Sequence, residues 1–194
     1  MATAISASTG SNFDVTRNFL INYEVFLEGE RFLGTADVEL PDFKFSTAEV
    51  KGPGILGTID MPGLGHTDSL ELTLNWRTIN GDLIKLAEQR AIDMTIRGSN
   101  QNYNQSNKKL ATEPVRVDFR GVPKQTTLGS FKPVEATESK SVFEVIVLHL
   151  YVGGVMKIKY DKVNYIMDIN GTDYLASFRS DLGLDIPYSS VTVK

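Results

Sequence analysis

The stretch KSVFEVIVLHLYVGGVMKIKY, residues 140–160, limits the possible folds more than any other part of this chain. Successive side chains of a β-strand point to opposite faces, so a half-buried strand alternates apolar and polar residues. Val155 to Tyr160 does so: Met156, Ile158 and Tyr160 share one face, Lys157 and Lys159 the other. The preceding run does not. Phe143, Val145, Val147, His149 and Tyr151 fall on one face, and Glu144, Ile146, Leu148, Leu150 and Val152 on the other. Both faces are mostly apolar, and Gly153-Gly154 between the two runs marks a tight hairpin. A second apolar face needs a cover, since a long exposed strand of this kind is an aggregation hazard.

The rest of the chain reads as further strands. FLINYEVFL (19–27) ends at the turn signal Glu28-Gly29, and RFLGTADVEL (31–40) returns from it until Pro41. SLELTLNWR (69–77) is the cleanest alternation: Leu70, Leu72, Leu74 and Trp76 face one way, Ser69, Glu71, Thr73, Asn75 and Arg77 the other. AIDMTIRGS (91–99), EPVRVDFRGVPK (113–124) and VNYIMDING (163–171) are strand-like. Between them lie a long loop over 43–69 broken by GPG and PGLG, a polar loop over 100–109, and a turn-rich connection over 125–139. Two helices are predicted: a short amphipathic one in NGDLIKLAEQR (80–90), capped by Asn80 or Asp82, and one over 172–184, capped by Thr172 or Asp173 and stopped at Gly183. The sum is mainly β: an antiparallel β-sandwich or barrel with one short central helix and one C-terminal helix. Two short helices can cover one sheet face, so self-association is expected to cover the other.

Composition narrows the function classes. The 194 residues are 41% hydrophobic and 23% charged, ordinary for a soluble domain, and suffice for one full core. Residues 1–12 read as a polar flexible arm, 13–184 as one domain and 185–194 as a β-rich tail. No apolar run is long enough for a membrane anchor, and MATAISASTGSNFD shows neither the basic nor the apolar region of a secretory signal. With no cysteine there is neither disulfide nor thiolate chemistry. A net charge of −4 argues against non-specific nucleic-acid binding.

Catalytic chemistry finds little footing. His66 lies near Asp68, but one His–carboxylate pair without HxxxH or HExxH spacing reads as an ordinary loop histidine. His149, in the doubly apolar strand, reads as an interface or core-edge residue. Asp60, Asp68 and Glu71 form a conceivable carboxylate set for glycoside hydrolysis, against the simpler reading of solvated surface groups. Tyr103, Tyr151 and Tyr160 are conceivable stacking residues for sugars or bases, and Tyr103 and Trp76 with nearby carboxylates for a carbohydrate-binding module, against core or interface packing. No phosphate-binding loop, nucleophile elbow or dinucleotide fingerprint is present, and neither cofactor nor metal is implied.

The order NYEVFLEGERFLGTADVELPDF, GPGILGTIDMPGLG, LELTLNW, INGTDYLASFRSDLGL resembles the major tail tube protein family of contractile-tailed bacteriophages and phage tail-like particles. Val25, Phe26, Leu27 and Gly29 match its first strand and turn, and Trp76 its tryptophan-bearing strand after a glycine-rich loop. Ile169, Asn170, Gly171 and Asp173, then Gly183 and Leu184, match the turn that feeds its C-terminal helix. The resemblance runs from Asn22 to Leu184; the N-terminal arm and the tail after Leu184 are longer than the family pattern.

What the resemblance implies is a structural, non-enzymatic role. Subunits form hexameric rings that stack into a rigid hollow tube, each giving strands to a continuous inner barrel. The tube would sit inside a sheath protein, between baseplate and tail terminator proteins, in a virion tail or tail-like particle assembled in the bacterial host cytoplasm. DNA would pass through its lumen without specific binding, or effectors in a type VI secretion-like tube. On this analogy Lys51, Gly54, Ile55, Leu56, Met61 and Leu64, in the glycine-rich loop 51–65, are candidate contacts to the adjacent ring. Val142, Glu144, Ile146, Leu148 and Leu150 are candidate inter-subunit strand residues.

Overall fold

The computed structural model describes residues 15–31, 36–104 and 108–184; the arm 1–12 and the tail 185–194 lie outside the described residues. In chain order the elements are β1 (Val15–Leu27), β2 (Glu30–Arg31), β3 (Ala36–Glu39), β4 (Phe45–Val50), β5 (Ile59–Thr67), β6 (Glu71–Trp76) and α1 (Gly81–Lys85). Then follow β7 (Ile92–Asn104), β8 (Lys109–Thr127), β9 (Ser139–Val152), β10 (Val155–Asp161), β11 (Ile166–Ile169), β12 (Thr172–Asp173) and α2 (Ala176–Asp181). The fold is mainly β, with antiparallel sheets and two short helices, as the alternation predicts.

The large sheet runs β12-β11-β10-β9-β8-β7-β1-β2, with β6 set between β3 and the first half of β9. β9 is therefore interior. β8 pairs along one of its edges; on the other, Ser139–Glu144 pair with β6 and Val147–Val152 with β10. The sheet curls back on itself: the Val38 amide on β3 donates to the Tyr23 hydroxyl on β1 at 3.2 Å. Six strands, β3-β6-β9-β8-β7-β1, thus make a barrel whose seam carries this side-chain bond and, among the described residues, no ladder.

Inside the curl the predicted apolar face of β6, Leu72, Leu74 and Trp76, meets Ile92, Met94 and Ile96 of β7, Phe119 of β8 and Phe143 of β9. The Phe119 and Phe143 rings sit edge to face at 6.4 Å. The Asn80 side chain caps α1 by accepting from the Leu83 amide at 2.9 Å. The helix stops at Lys85, short of the predicted 90. A helix this short has no stability alone; it is held by sinking Leu83, and Leu86 just beyond it, into the core. The same core continues around β10 and β11, with Phe43 edge-on to Tyr160 at 5.5 Å and Tyr165 against Phe178 at 5.5 Å. α2 is also shorter than expected, because Thr172 and Asp173 pair with β11 as β12. Asp173 accepts from the Leu175 amide at 3.1 Å, and Gly183 follows the helix as predicted, with Leu184 N bonded to Arg179 O at 2.9 Å.

The two-faced pattern of β9 is resolved by a β-bulge. Leu148 pairs with Phe119 and Val147 with Arg120, but the next pair is Val145 with Gly121, so Ile146 is an extra residue. A bulge resets the alternation. Phe143 and Val145 before it therefore face the same core as Leu148 and Leu150 after it. The apolar surplus is absorbed largely within the chain, which corrects the expectation that a neighbour must cover a whole second face. Val152 pairs with Val155 across Gly153-Gly154, whose φ values of 60° and 79° give the left-handed turn that suits a hairpin's twist.

Two loops prove to be strands. Within 43–69, β4 and β5 form a separate two-stranded hairpin, tipped by residues 51–58. Pro62 is tolerated because a two-stranded sheet is all edge. Within 100–109, β7 runs to Asn104 and β8 starts at Lys109, so a polar ribbon extends beyond the core, flanked by the start of β1.

Candidate functional site

Among the described residues the β4–β5 hairpin is exposed along nearly its whole length. Its pairs Ala48–Met61 and Val50–Ile59 put four apolar residues on one face, and Glu49–Asp60 puts two carboxylates on the other. Val50, Ile59 and Met61 are exposed, as are Leu64 and, at the tip, Leu56 at 106% of its reference area. Of the predicted ring-contact residues, Lys51, Gly54, Leu56, Met61 and Leu64 are exposed and Ile55 is half-buried under the turn closed by its amide to Gly52 O at 3.2 Å. Lys51 pairs with Glu49 at 3.0 Å. Ala48, Val50 and Ile59 belong to the same apolar stripe. Their alternation was present in TAEV and ILGTIDM but obscured by the neighbouring Gly and Pro.

The residues predicted on β9 have different surroundings. Leu148 is 4% exposed in the core, and Leu150 packs at its margin. Val142 is buried, Ile146 half-buried at the bulge. Glu144 accepts from Lys162 Nζ at 2.6 Å and from the Ser69 hydroxyl. With both edges of β9 laddered inside the subunit, a neighbour finds no edge there to extend.

The reverse face of the long strands carries paired charge. Cross-strand register sets Glu24, Arg97, Arg116 and Tyr151 in one row, and Thr95, Asp118, His149, Lys159 and Asp168 in the next. Arg116 lies 4.1 Å above the Tyr151 ring and 3.1 Å from Asp118; Arg97 lies 5.1 Å above Phe26. Arg120 holds Asp93 through two bonds of 2.7 and 2.9 Å. This polar wall went unrecognised because its residues are scattered over six strands whose pairing the sequence does not state.

The residues weighed for catalysis or glycan stacking are occupied otherwise. Asp68 accepts from Ser46 at 2.8 Å and pairs with Lys44 at 3.4 Å, contacts that hold its pKa below the usual carboxylate value. Glu71 pairs with Lys124, and Asp60 stands opposite another carboxylate, Glu49, on the hairpin. His66 is exposed. Among the described residues no group of His and acidic side chains is arranged to hold a metal. Trp76 is 3% exposed with Nε1 donating to Ser141 at 3.2 Å, and the buried Tyr160 shares a 2.6 Å hydrogen bond with Thr67. Neither ring is offered to a sugar. Tyr151 lies under Arg116, and Tyr103 is half-buried on the ribbon.

Buried titratable groups give a testable acid response. Burial, then the charge of Lys159, pushes the His149 pKa down, against the opposing pull of Asp118 and Asp161. Its folded pKa is below the unfolded value of about 6.5, so the stability it contributes is complete above about pH 6.5 and is lost as pH falls from there. For Glu144 and Asp173 burial favours the neutral acid, but Lys162 with Ser69, and Arg179, outweigh it and lower both pKa values. Their contribution is present above about pH 4 and is lost below it. The melting temperature is expected to fall in two stages on acidification, and His149→Gln to flatten the stage that begins near pH 6.5. A single stage, unchanged by His149→Gln, would contradict this.

These surfaces suit assembly rather than turnover, and comparison with known proteins agrees. The tail tube protein of Escherichia phage P2 is 28% identical over 167 residues, covering 82% of this chain and 94% of that protein. Two solved chains are similar more remotely. One comes from the sheath/tube terminator of an extracellular contractile injection system, PVC, in the extended state. It has 18% identity and a TM-score of 0.45, covering 68% of this chain and 94% of that one. The other comes from the PVC sheath-tube complex in the extended state, with 17% identity and a TM-score of 0.43, covering 69% of this chain and 88% of that one. The family model for phage tail tube protein FII matches residues 17–183, from the first strand through the end of the C-terminal helix. The chain therefore belongs to the phage tail tube protein FII family, and its role is that of a structural tail tube protein rather than an enzyme.

Proposed function

We propose that the chain is the repeating subunit of a contractile tail tube, forming hexameric rings that stack into a hollow conduit inside a sheath. The observation that carries this reading beyond family membership is the β4–β5 hairpin. Isolated two-stranded hairpins are marginal in water, and this one exposes an apolar face at Val50, Ile59 and Met61. A surface of that kind is stable in service only when another molecule covers it. The subunit of the adjacent ring is the cover that a tube supplies, with Lys51, Gly54, Ile55, Leu56, Met61 and Leu64 at the contact. The reverse face of β1, β7, β8 and β9 serves as the lumen wall. Its cations are matched by carboxylates, as in Arg116–Asp118 and Arg120–Asp93, so DNA passing along it finds little net attraction. Sheath, baseplate and terminator proteins are the partners, and the virion tail or a tail-like particle is the location.

Ile59→Asp with Met61→Asp tests the reading. Both residues are exposed, so the variant is expected to melt within a few degrees of the parent, since surface changes usually cost under about 0.5 kcal/mol. Tubes or rings with an open channel are expected from the parent in negative stain and not from the variant. Tubes of ordinary length from the variant would remove the hairpin from the interface. A parent that stays monomeric at high concentration would remove the tube reading itself.

A further inference from the structure

An apolar cleft opens beside the barrel seam, lined by Leu20 and Tyr23 of β1, Val38 of β3, Leu40 just after it, and Val115 and Val117 of β8. Its volume is about 110 Å³ and Leu20 and Leu40 on its rim are exposed. That is small for a cofactor or metabolite site, which typically spans about 300–1,000 Å³. It is of a size for one or two side chains.

The same chain carries an exposed apolar tip. The loop 128–138 between β8 and β9 presents Phe131 at 85% and Val134 at 106% of their reference areas. It is no loose loop. Ser130 N bonds to Thr137 O, Thr137 N to Arg77 O and Ser139 Oγ to Leu128 O, each at 2.9 Å. Gly129 has φ +78°, and a Cβ there would lie 1.8 Å from Thr137 O, so this pinch admits only glycine. At the tip Lys132 and Glu135 pair at 3.3 Å across the turn between the two apolar residues. A knob fixed this way loses little conformational entropy on docking.

We infer that the knob Phe131–Val134 of one copy seats in the cleft of a second copy. The knob has no path to its own cleft. On β8 the cleft lies at Val115 and Val117 and the loop departs after Thr127. Those ten residues span roughly 33 Å at about 3.3 Å each, and the loop base is pinned to Arg77 and Thr137 at the far end. A knob and a socket separated along one strand make a heterologous, head-to-tail contact, which repeats from copy to copy instead of closing as a two-fold dimer. The inference rests on the tube reading and adds a second contact to it, independent of the β4–β5 hairpin.

The natural absence of cysteine makes cross-linking clean. Val134→Cys combined with Leu40→Cys, assembled and then oxidised or bridged with a short bis-maleimide, is expected to give a ladder of dimers, trimers and higher species on a non-reducing gel. Each single-cysteine variant is expected to stop at dimers at most. Phe131→Asp is expected to raise the concentration needed for assembly at least about tenfold, the effect of losing a central apolar anchor, with unaltered thermal unfolding of the free subunit. Assembled tubes without a ladder, together with normal assembly of Phe131→Asp, would overturn the knob contact and leave the tube reading intact. A ladder from Leu56→Cys with Leu40→Cys but not from Val134→Cys would also overturn it, giving the cleft to the hairpin tip. Failure of the parent chain to assemble under any condition would overturn both.

Discussion

Leu148→Asp is expected to give no folded subunit, whereas Ile146→Asp, two positions earlier on β9, is expected to fold. Leu148 is 4% exposed and faces Phe119 and Val145 in the core. A carboxylate there has no partner, and an unpaired buried charge costs several kcal/mol or more, or else enters as a neutral acid without its hydrogen bonds. A domain of this size has roughly 5–15 kcal/mol of stability in all, so the fraction folded collapses. Ile146 is the extra residue of the bulge and is half-exposed, so an aspartate there has water to turn to. Soluble yield and a cooperative thermal transition separate the outcomes. A folded Leu148→Asp subunit would mean that the bulge lies elsewhere and that β9 presents its other face to the core.

Arg179→Met is expected to destabilise the free subunit by about 3 kcal/mol, in the range found when one member of a buried ion pair is removed. Arg179 is only 8% exposed and donates to Tyr165 O at 2.7 Å and to Asp173 Oδ2 at 2.5 Å. Its loss strands a carboxylate and a carbonyl together. Melting should fall by roughly 6–12 °C at about 2–4 °C per kcal/mol. Adding Asp173→Asn removes the orphaned charge, so the double variant should recover part of the loss, and a denaturation cycle over the four proteins reads the coupling. Strict additivity would show that Arg179 acts through Tyr165 O and packing and not through Asp173. Arg179 fastens α2 to β12 through Asp173 and to the turn before β11 through Tyr165 O, so the effect should be read on the free subunit before any assay of assembly.

The sequence was legible wherever one face meets water and one meets the core. Leu70, Leu72, Leu74 and Trp76 alternate without interruption because β6 has no bulge, and all four are buried as read. Asn80 was correctly one of two candidate caps, because a cap acts through local geometry. β9 defeated the same method. A period of two presumes an unbroken ladder, and the inserted Ile146 is an ordinary apolar residue that carries no mark of its role. The β4–β5 hairpin was hidden for the opposite reason. Gly and Pro are strong breakers in most strands, but a two-stranded, solvent-exposed sheet tolerates them. The knob at Phe131 and Val134 was passed over as a turn-rich connection, since composition reports flexibility while the pinch at Gly129 is a matter of contacts. The reverse-face charges fall into rows only once six strands are in register.

The seam described between β3 and β1 has a mechanical meaning. Force along β8 and β9 is borne by their long antiparallel ladder in shear, from Val115–Val152 to Thr127–Lys140, so many bonds must yield together. Force that opens the curl sideways meets, at the seam, the bond from Val38 to the Tyr23 hydroxyl. The subunit therefore has a grain: stiff along its strands and compliant across its seam. A body built of such units resists being shortened far better than being split, and whatever wraps it or adjoins it at the seam is what supplies its hoop strength.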